Sequence, residues 1–340
     1  VIVAYTTLGG FLAASTTGFI QSIIMSVALI VVLIFGVETA GGIGAVIHNA
    51  SELPGYLSMT LSYDVNTGKA APYSALTIVS TAAWGLGYFG MPHILLRFMA
   101  IEDEKKLKLS RRVATIWVVI SLFVAVFIGV IGYTMSKVGA LEMLTGSNSE
   151  TIIVKISALL SQHGVIFALL AGVILAGILA STMSTSDSQL LAASSAVSSD
   201  ILGAFRKDSS NKNGSMAAAR ITLLVISVVA AFIARNPDSS VFAIVSFAWA
   251  GFGAAFGPVV LFSLFWKRTN KWGALAGMVC GGSMVFIWKY LIRPLGGIWN
   301  IYELLPAFLI ACAAIVIVSL LTPKPSKEIE EEFDRVAQMK

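Results

Sequence analysis

Residues 176–190 read AGILASTMSTSDSQL, a run in which hydroxyls and one carboxylate follow a strongly apolar stretch from Val165 to Leu179. Polar side chains at membrane depth are costly unless they face protein, water or an ion. Ser181, Ser184, Thr185 and Ser188 recur at i, i+3, i+4 and i+7, so a helix would place them on one face. Hard monovalent cations take oxygen ligands, and hydroxyls with freed backbone carbonyls supply them without burying a full charge. Small hydroxylated residues also let membrane helices pack closely. Spacing alone leaves both readings open and slightly favours packing. Asp187 shifts the balance toward function, because a carboxylate within the membrane is rarely idle. A structural hydrogen bond, or a place near the inner water layer, would also account for it.

A second stretch reads TAAWGLGYFGMPHILLRF. Gly85, Gly87, Gly90 and Pro92 weaken any helix there, by lost helix propensity and by a missing donor. An interrupted membrane helix is a pointer to a transport site. Trp84 and Tyr88, four residues apart, could wall a small apolar or zwitterionic substrate, with the phenol as a polar handle. An interfacial aromatic belt is the other reading, but both residues lie near mid-span. His93 reads as a hydrogen-bonded packing residue rather than a proton carrier. Gly253 and Gly257 form a GxxxG pair, a close-approach surface for another helix.

The elements that position these residues follow from composition. The chain is 57% hydrophobic and 12% charged, with a mean hydropathy of +0.86, against about 25% charged in soluble domains. It is a polytopic membrane protein. About 20 apolar residues are needed per spanning helix, and eight segments qualify: 18–41, 74–99, 110–136, 164–198, 216–235, 241–266, 272–292 and 301–322. Residues 1–8 read as the tail of an earlier span, and 150–162 as a short amphipathic helix. The chain opens in mid-apolar sequence and is expected to lack the N-terminal part of a longer protein.

Most of the 23 basic residues fall in alternate loops. Arg97 to Arg112, Arg206 to Arg220, Lys267 to Lys271 and the tail from Lys324 carry them. Short loops rich in Lys and Arg stay cytoplasmic. Residues 1–8 and the C-terminus are therefore expected inside, and loop 42–72 outside. The basic balance is thus a topology signal and not a nucleic-acid surface. Cys280 and Cys312 lie in apolar segments, with no disulfide or metal-ligand spacing. No nucleophile–base pair, metal cluster or phosphate loop is visible, so no enzyme is expected.

The run from Trp84 to Ala100, WGLGYF-x-x-PH-x-x-x-RFMA, resembles the sodium/solute symporter family, as does AGILA-x-x-MST with its following QLL. AWAGFGAAFGPVVLFS, from Ala248 to Ser263, is similar to the sodium/proline symporters within it. The resemblance runs from Gly9 to the tail. It implies an all-α membrane protein with about eight transmembrane helices. These would form a partial five-helix inverted-repeat transporter fold, the second repeat complete and the first mostly missing. A transporter domain would cover 1–322 and a charged cytoplasmic tail 323–340.

The resemblance implies sodium-coupled import of L-proline across a bacterial cytoplasmic membrane, by a chain taken as a monomer. Sodium would be held by the Ser181 carbonyl and the Ser184 and Thr185 hydroxyls. Trp84 and Tyr88 would touch substrate, Pro92 would shape the helix, and Asp187 would serve as a polar or gating residue. Another small amino acid or organic acid, or a non-transporting membrane sensor, are the alternatives. Two departures matter. Where the family has GG-x-L-A-x-S-W-T-D-x-x-Q, this chain has GGFLAASTTGFIQ, with Thr16 for the Trp and Gly18 for the Asp. That favours one sodium per substrate. Met91 stands where proline symporters often carry Gln.

Overall fold

The computed structural model describes residues 2–64, 67–201, 212–235 and 240–338. It is helical nearly throughout, as expected, apart from one two-stranded sheet. Six described helices are long and apolar enough to cross a membrane. Two of the eight expected spans fall short of that standard. The apolar part of the fifth runs only from Ala217 to Ile233, and the second is interrupted. The basic residues Arg206, Lys207 and Lys340 lie outside the described residues.

The chain forms two compact units, residues 1–71 with 100–238 and residues 72–99 with 239–340. In the first, α1 (Ile2–Thr39) is helical except at Gly10, whose φ is 57° and ψ −145°. Only a residue without a Cβ adopts this backbone readily. The chain folds back there. A straight helix would hold Tyr5 and Ala28 about 35 Å apart, yet they meet Asp187 and Gly177, which are ten positions or about 15 Å apart along the facing helix. Residues 1–8 thus belong to a separate leading segment, joined to the first full span by a glycine turn rather than a loop.

The expected outer loop 42–72 has structure of its own: α2 (Ile43–Ser51) and a hairpin of β1 (Leu61–Asp64) and β2 (Lys69–Pro72). Then α5 (Leu107–Lys137), α6 (Ile152–Ser161), α7 (Val165–Ser195) and α8 (Lys212–Ile233) complete this unit. Its core joins Val32 of α1, Ile128 and Met135 of α5, Ile156 and Leu160 of α6, and Ile174 of α7. The short α6 is tied down by Ser157, which donates to the Ala171 carbonyl at 3.1 Å. Against α1, α7 comes very close: a Cβ on Gly177 would stand 2.5 Å from Ala28 Cβ.

The second unit begins with the interrupted stretch. Ser74 caps α3 (Ala75–Ala82) by accepting the Thr77 amide at 3.2 Å. A 3-10 turn follows over Ala83–Gly90, then extended Met91, then α4 (Pro92–Met99). Each step has a local cause. Glycines loosen the helix, the residue before a proline is pushed to extended backbone, and proline suits a first helical turn, where its amide would lack a partner anyway.

Three further helices, α9 (Val241–Phe265), α10 (Lys271–Ile287) and α11 (Leu304–Leu321), build the core around Ala254, Val285, Leu304 and Phe308. Pro258 sits inside α9 and cannot donate to the Ala254 carbonyl. Gly281 of α10 packs directly on that freed carbonyl, and a Cβ there would collide with it. Gly273 and Gly277 continue the same seam against Ser319 and Ile315 of α11. The tail forms α12 (Lys327–Gln338).

Candidate functional site

Two groups of candidate residues can be described, one in each unit. In the second unit, the broken stretch lies in the glycine groove of α9. A Cβ on Gly253 would stand 2.7 Å from the Gly87 Cα, and one on Gly90 would run into the Phe252 carbonyl. The helix that the GxxxG pair awaits is thus the interrupted one. Close approach puts its aromatic residues against α9. Trp84 stacks on Phe242 and Trp249, with centroids 5.5 Å apart in both pairs, and on Tyr302 at 5.9 Å. Tyr88 meets Trp249 edge-on at 4.8 Å.

Polar bonds lock this stack. Trp249 Nε1 donates to the Trp84 carbonyl at 2.9 Å, tying the 3-10 turn to α9. The Tyr302 amide donates to Ser80 Oγ at 2.7 Å, and its phenol donates to the Ser246 carbonyl at 2.6 Å. Trp84 is therefore committed on several sides, whereas Tyr88 keeps 46% of its surface exposed. Pro92 is half-buried at the start of α4, and Met91 is 4% exposed. Trp249 and Tyr302 were not singled out from sequence. Trp249 could have been, since it lies four residues before Gly253 and so shares the GxxxG face.

In the first unit, the hydroxyl turn lies in the unbroken helix α7. Ser184 Oγ and Thr185 Oγ1 both donate to the Ser181 carbonyl, at 3.1 and 3.5 Å. Ser188 Oγ bonds the Ser184 carbonyl at 3.1 Å. Ser181 and Thr185 are exposed, and Ser184 and Ser188 half-buried. Three oxygens of Ser181, Ser184 and Thr185 thus converge within one helical turn. That is an all-oxygen set of the kind a hard cation takes.

Asp187, two residues beyond Thr185, is fully buried. Its Oδ2 accepts from Tyr5 OH at 2.9 Å, and its Oδ1, 3.1 Å from Ser188 Oγ, shares that hydroxyl's one proton with the Ser184 carbonyl. The structural hydrogen bond considered from sequence is present. Tyr5 was missed, because a phenol in an apolar run carries no periodic signal of its partner 182 residues away.

Against known proteins, residues 1–281 match the model of the Sodium:solute symporter family. The chain is 38% identical over 327 residues to the osmoregulated proline transporter OpuE of Bacillus subtilis, covering 96% of this chain and 63% of the relative. It is 39% identical over 339 residues to the sodium/proline symporter of Haemophilus influenzae, covering 98% and 64%. The chain spans just under two thirds of the length of these relatives. Among solved structures, a substrate-bound, outward-open Na+-coupled sialic acid symporter superposes with a TM-score of 0.72 at 18% identity, over 96% of this chain and 66% of that one. That likeness shows an all-α transporter fold.

Proposed function

Because this chain belongs to the sodium:solute symporter family, we propose that it acts in the sodium-coupled import of L-proline across a bacterial cytoplasmic membrane. The observation that carries this reading is the 39% identity to a sodium/proline symporter over 98% of the chain. Sodium is a co-transported substrate here, not a resident cofactor, and nothing in the proposal requires catalysis. The C-terminal tail faces the cytoplasm, in line with the placement of basic loops.

On the sodium side, the Ser181 carbonyl and the Ser184 and Thr185 hydroxyls act as ligands. Each hydroxyl spends only its proton on the Ser181 carbonyl and keeps its lone pairs for the ion. On the substrate side, Tyr88 contacts proline with its exposed ring, and Trp84 forms the wall behind it. Pro92 ends the broken turn and fixes the geometry of both. Binding of either solute drives import only if it favours one conformational state over the other.

The test is uptake of labelled proline by the full-length protein, with and without a sodium gradient. Sodium-dependent uptake competed by unlabelled proline supports the proposal. Sodium-dependent uptake competed only by another small amino acid or organic acid overturns the substrate. A Ser184→Ala/Thr185→Ala pair that retains its sodium dependence overturns the ligand assignment.

A further inference from the structure

The buried carboxylate of Asp187 takes no part in the proposed sodium shell, yet it lies two residues beyond it. A fully buried carboxylate in an apolar unit persists only if its oxygens are satisfied. One partner, Ser188, is its chain neighbour. The other, Tyr5, comes from the leading segment of α1 and reaches Asp187 because the chain folds back at Gly10. That segment is held from a third side as well, where Arg220 Nε of α8 donates to the Thr7 carbonyl at 3.2 Å.

These contacts bracket the hydroxyl turn along α7. On one side, Gly177 packs so closely on Ala28 of α1 that no larger residue fits. On the other, Asp187 is tied to Tyr5. The ten-residue step between them spans about 15 Å of helix, and Ser181, Ser184 and Thr185 all fall inside that interval. The glycine contact is steric and fixes a distance. The Asp187–Tyr5 bond is directional and fixes how the far end of the turn is rotated about the helix axis.

We infer that Asp187 and Tyr5 form an interhelical clasp that positions the sodium-binding turn, with Asp187 a positioning residue rather than a ligand. The inference rests on the sodium reading above. With the clasp closed, the lone pairs of Ser184 and Thr185 and the Ser181 carbonyl are held in one arrangement before sodium arrives. With it open, ordering them falls to the ion, and sodium binds more weakly. Substrate contacts lie on other elements and are affected only through sodium.

The experiment is proline uptake by the full-length protein as sodium is varied at saturating proline, for wild type, Tyr5→Phe, Asp187→Asn and the double variant. Tyr5→Phe keeps the ring and removes only the hydroxyl. The expected result is an increase of up to about tenfold in the sodium concentration for half-maximal uptake, the worth of one hydrogen bond. The maximal rate and the amount in the membrane should stay near wild type. The double variant should be no worse than the poorer single variant, since both break the same bond.

A Tyr5→Phe protein with wild-type sodium response overturns the clasp. So does one that loses membrane abundance or maximal rate while its sodium response is unchanged, because that is what a purely structural bond would give. Additive effects in the double variant overturn it too. Failure of the sodium reading itself is seen separately, in a Ser184→Ala/Thr185→Ala pair whose sodium dependence is intact.

Discussion

Trp249 Nε1 donates to the carbonyl of Trp84 at 2.9 Å while the two indoles stack at 5.5 Å, so one side chain holds both the backbone and the ring of its partner. The same indole meets Tyr88 edge-on and fills the space that Gly87 leaves open. The shape of the broken stretch therefore depends on a residue outside it.

Trp249→Phe should keep a ring in place but remove the hydrogen bond to the Trp84 carbonyl. A lost hydrogen bond of this kind is worth about 1 kcal/mol, more if the group stays dry. The expected outcome is a several-fold higher KM for proline, with the sodium response unchanged. Gly87→Ala drives a Cβ into the Trp249 ring and should cost more than Trp249→Phe. Uptake kinetics of the two variants, corrected for membrane abundance, check both.

Along α10, Gly281 lies against the Ala254 carbonyl, while a Cβ on Gly282 would stand 3.8 Å from Ala255 Cβ in ordinary contact. Gly282→Ala should be nearly neutral. Gly281→Ala must push apart two backbones, and overpacking of this kind costs about 1–3 kcal/mol. Thermal unfolding of the detergent-solubilised variants should show a clearly lower midpoint for Gly281→Ala and little change for Gly282→Ala.

Gly18 has no atom within 4 Å of the Cβ that a larger residue would add. Gly18→Asp should therefore fold. With a single sodium per proline, as the glycine suggests, uptake should rise hyperbolically with sodium in the wild type. A sigmoidal response in the wild type would contradict the one-ion expectation.

The tail helix α12 is joined to the α9–α10 connection by Lys267 Nζ, which bonds Asp334 Oδ2 at 2.5 Å. The hydrogen bond to Asp334, with its charge and that of Glu330, holds the Lys267 pKa above its usual value. A raised lysine pKa makes the link fully present below about 10.4 and lost as pH climbs through the shifted value. Both groups are well exposed, so salt near 1 M, where the Debye length is about 3 Å, should loosen the link at neutral pH. Distances between spin labels on α12 and α10 would show both effects. A distance that ignores salt and alkaline pH alike would refute the link.

Much of this molecule was legible in its residues. Apolar runs of spanning length specify membrane helices, because lipid offers no partner to an unpaired backbone. The break at Gly85–Pro92 was equally plain, since glycine and proline act on their own backbone whatever surrounds them. The hydroxyl turn at Ser181–Ser188 could be placed on one helical face from period alone. The leading segment was recognised as separate from the first full span, though not that a single glycine joins them.

Tertiary structure decided who meets whom. Trp249 and Tyr302 enclose Trp84, Gly281 meets the carbonyl that Pro258 frees, and Tyr5 reaches Asp187 across 182 positions. Periodicity cannot reveal such pairs, because a helix apolar on every side gives no sign of which side faces protein and which faces lipid. The sequence by itself determined the helices, the break and the oxygen-rich turn, all products of local backbone and solvation chemistry. Only the tertiary structure decided which residues hold the break and the turn in shape, because those bonds depend on close approach between segments far apart in the chain.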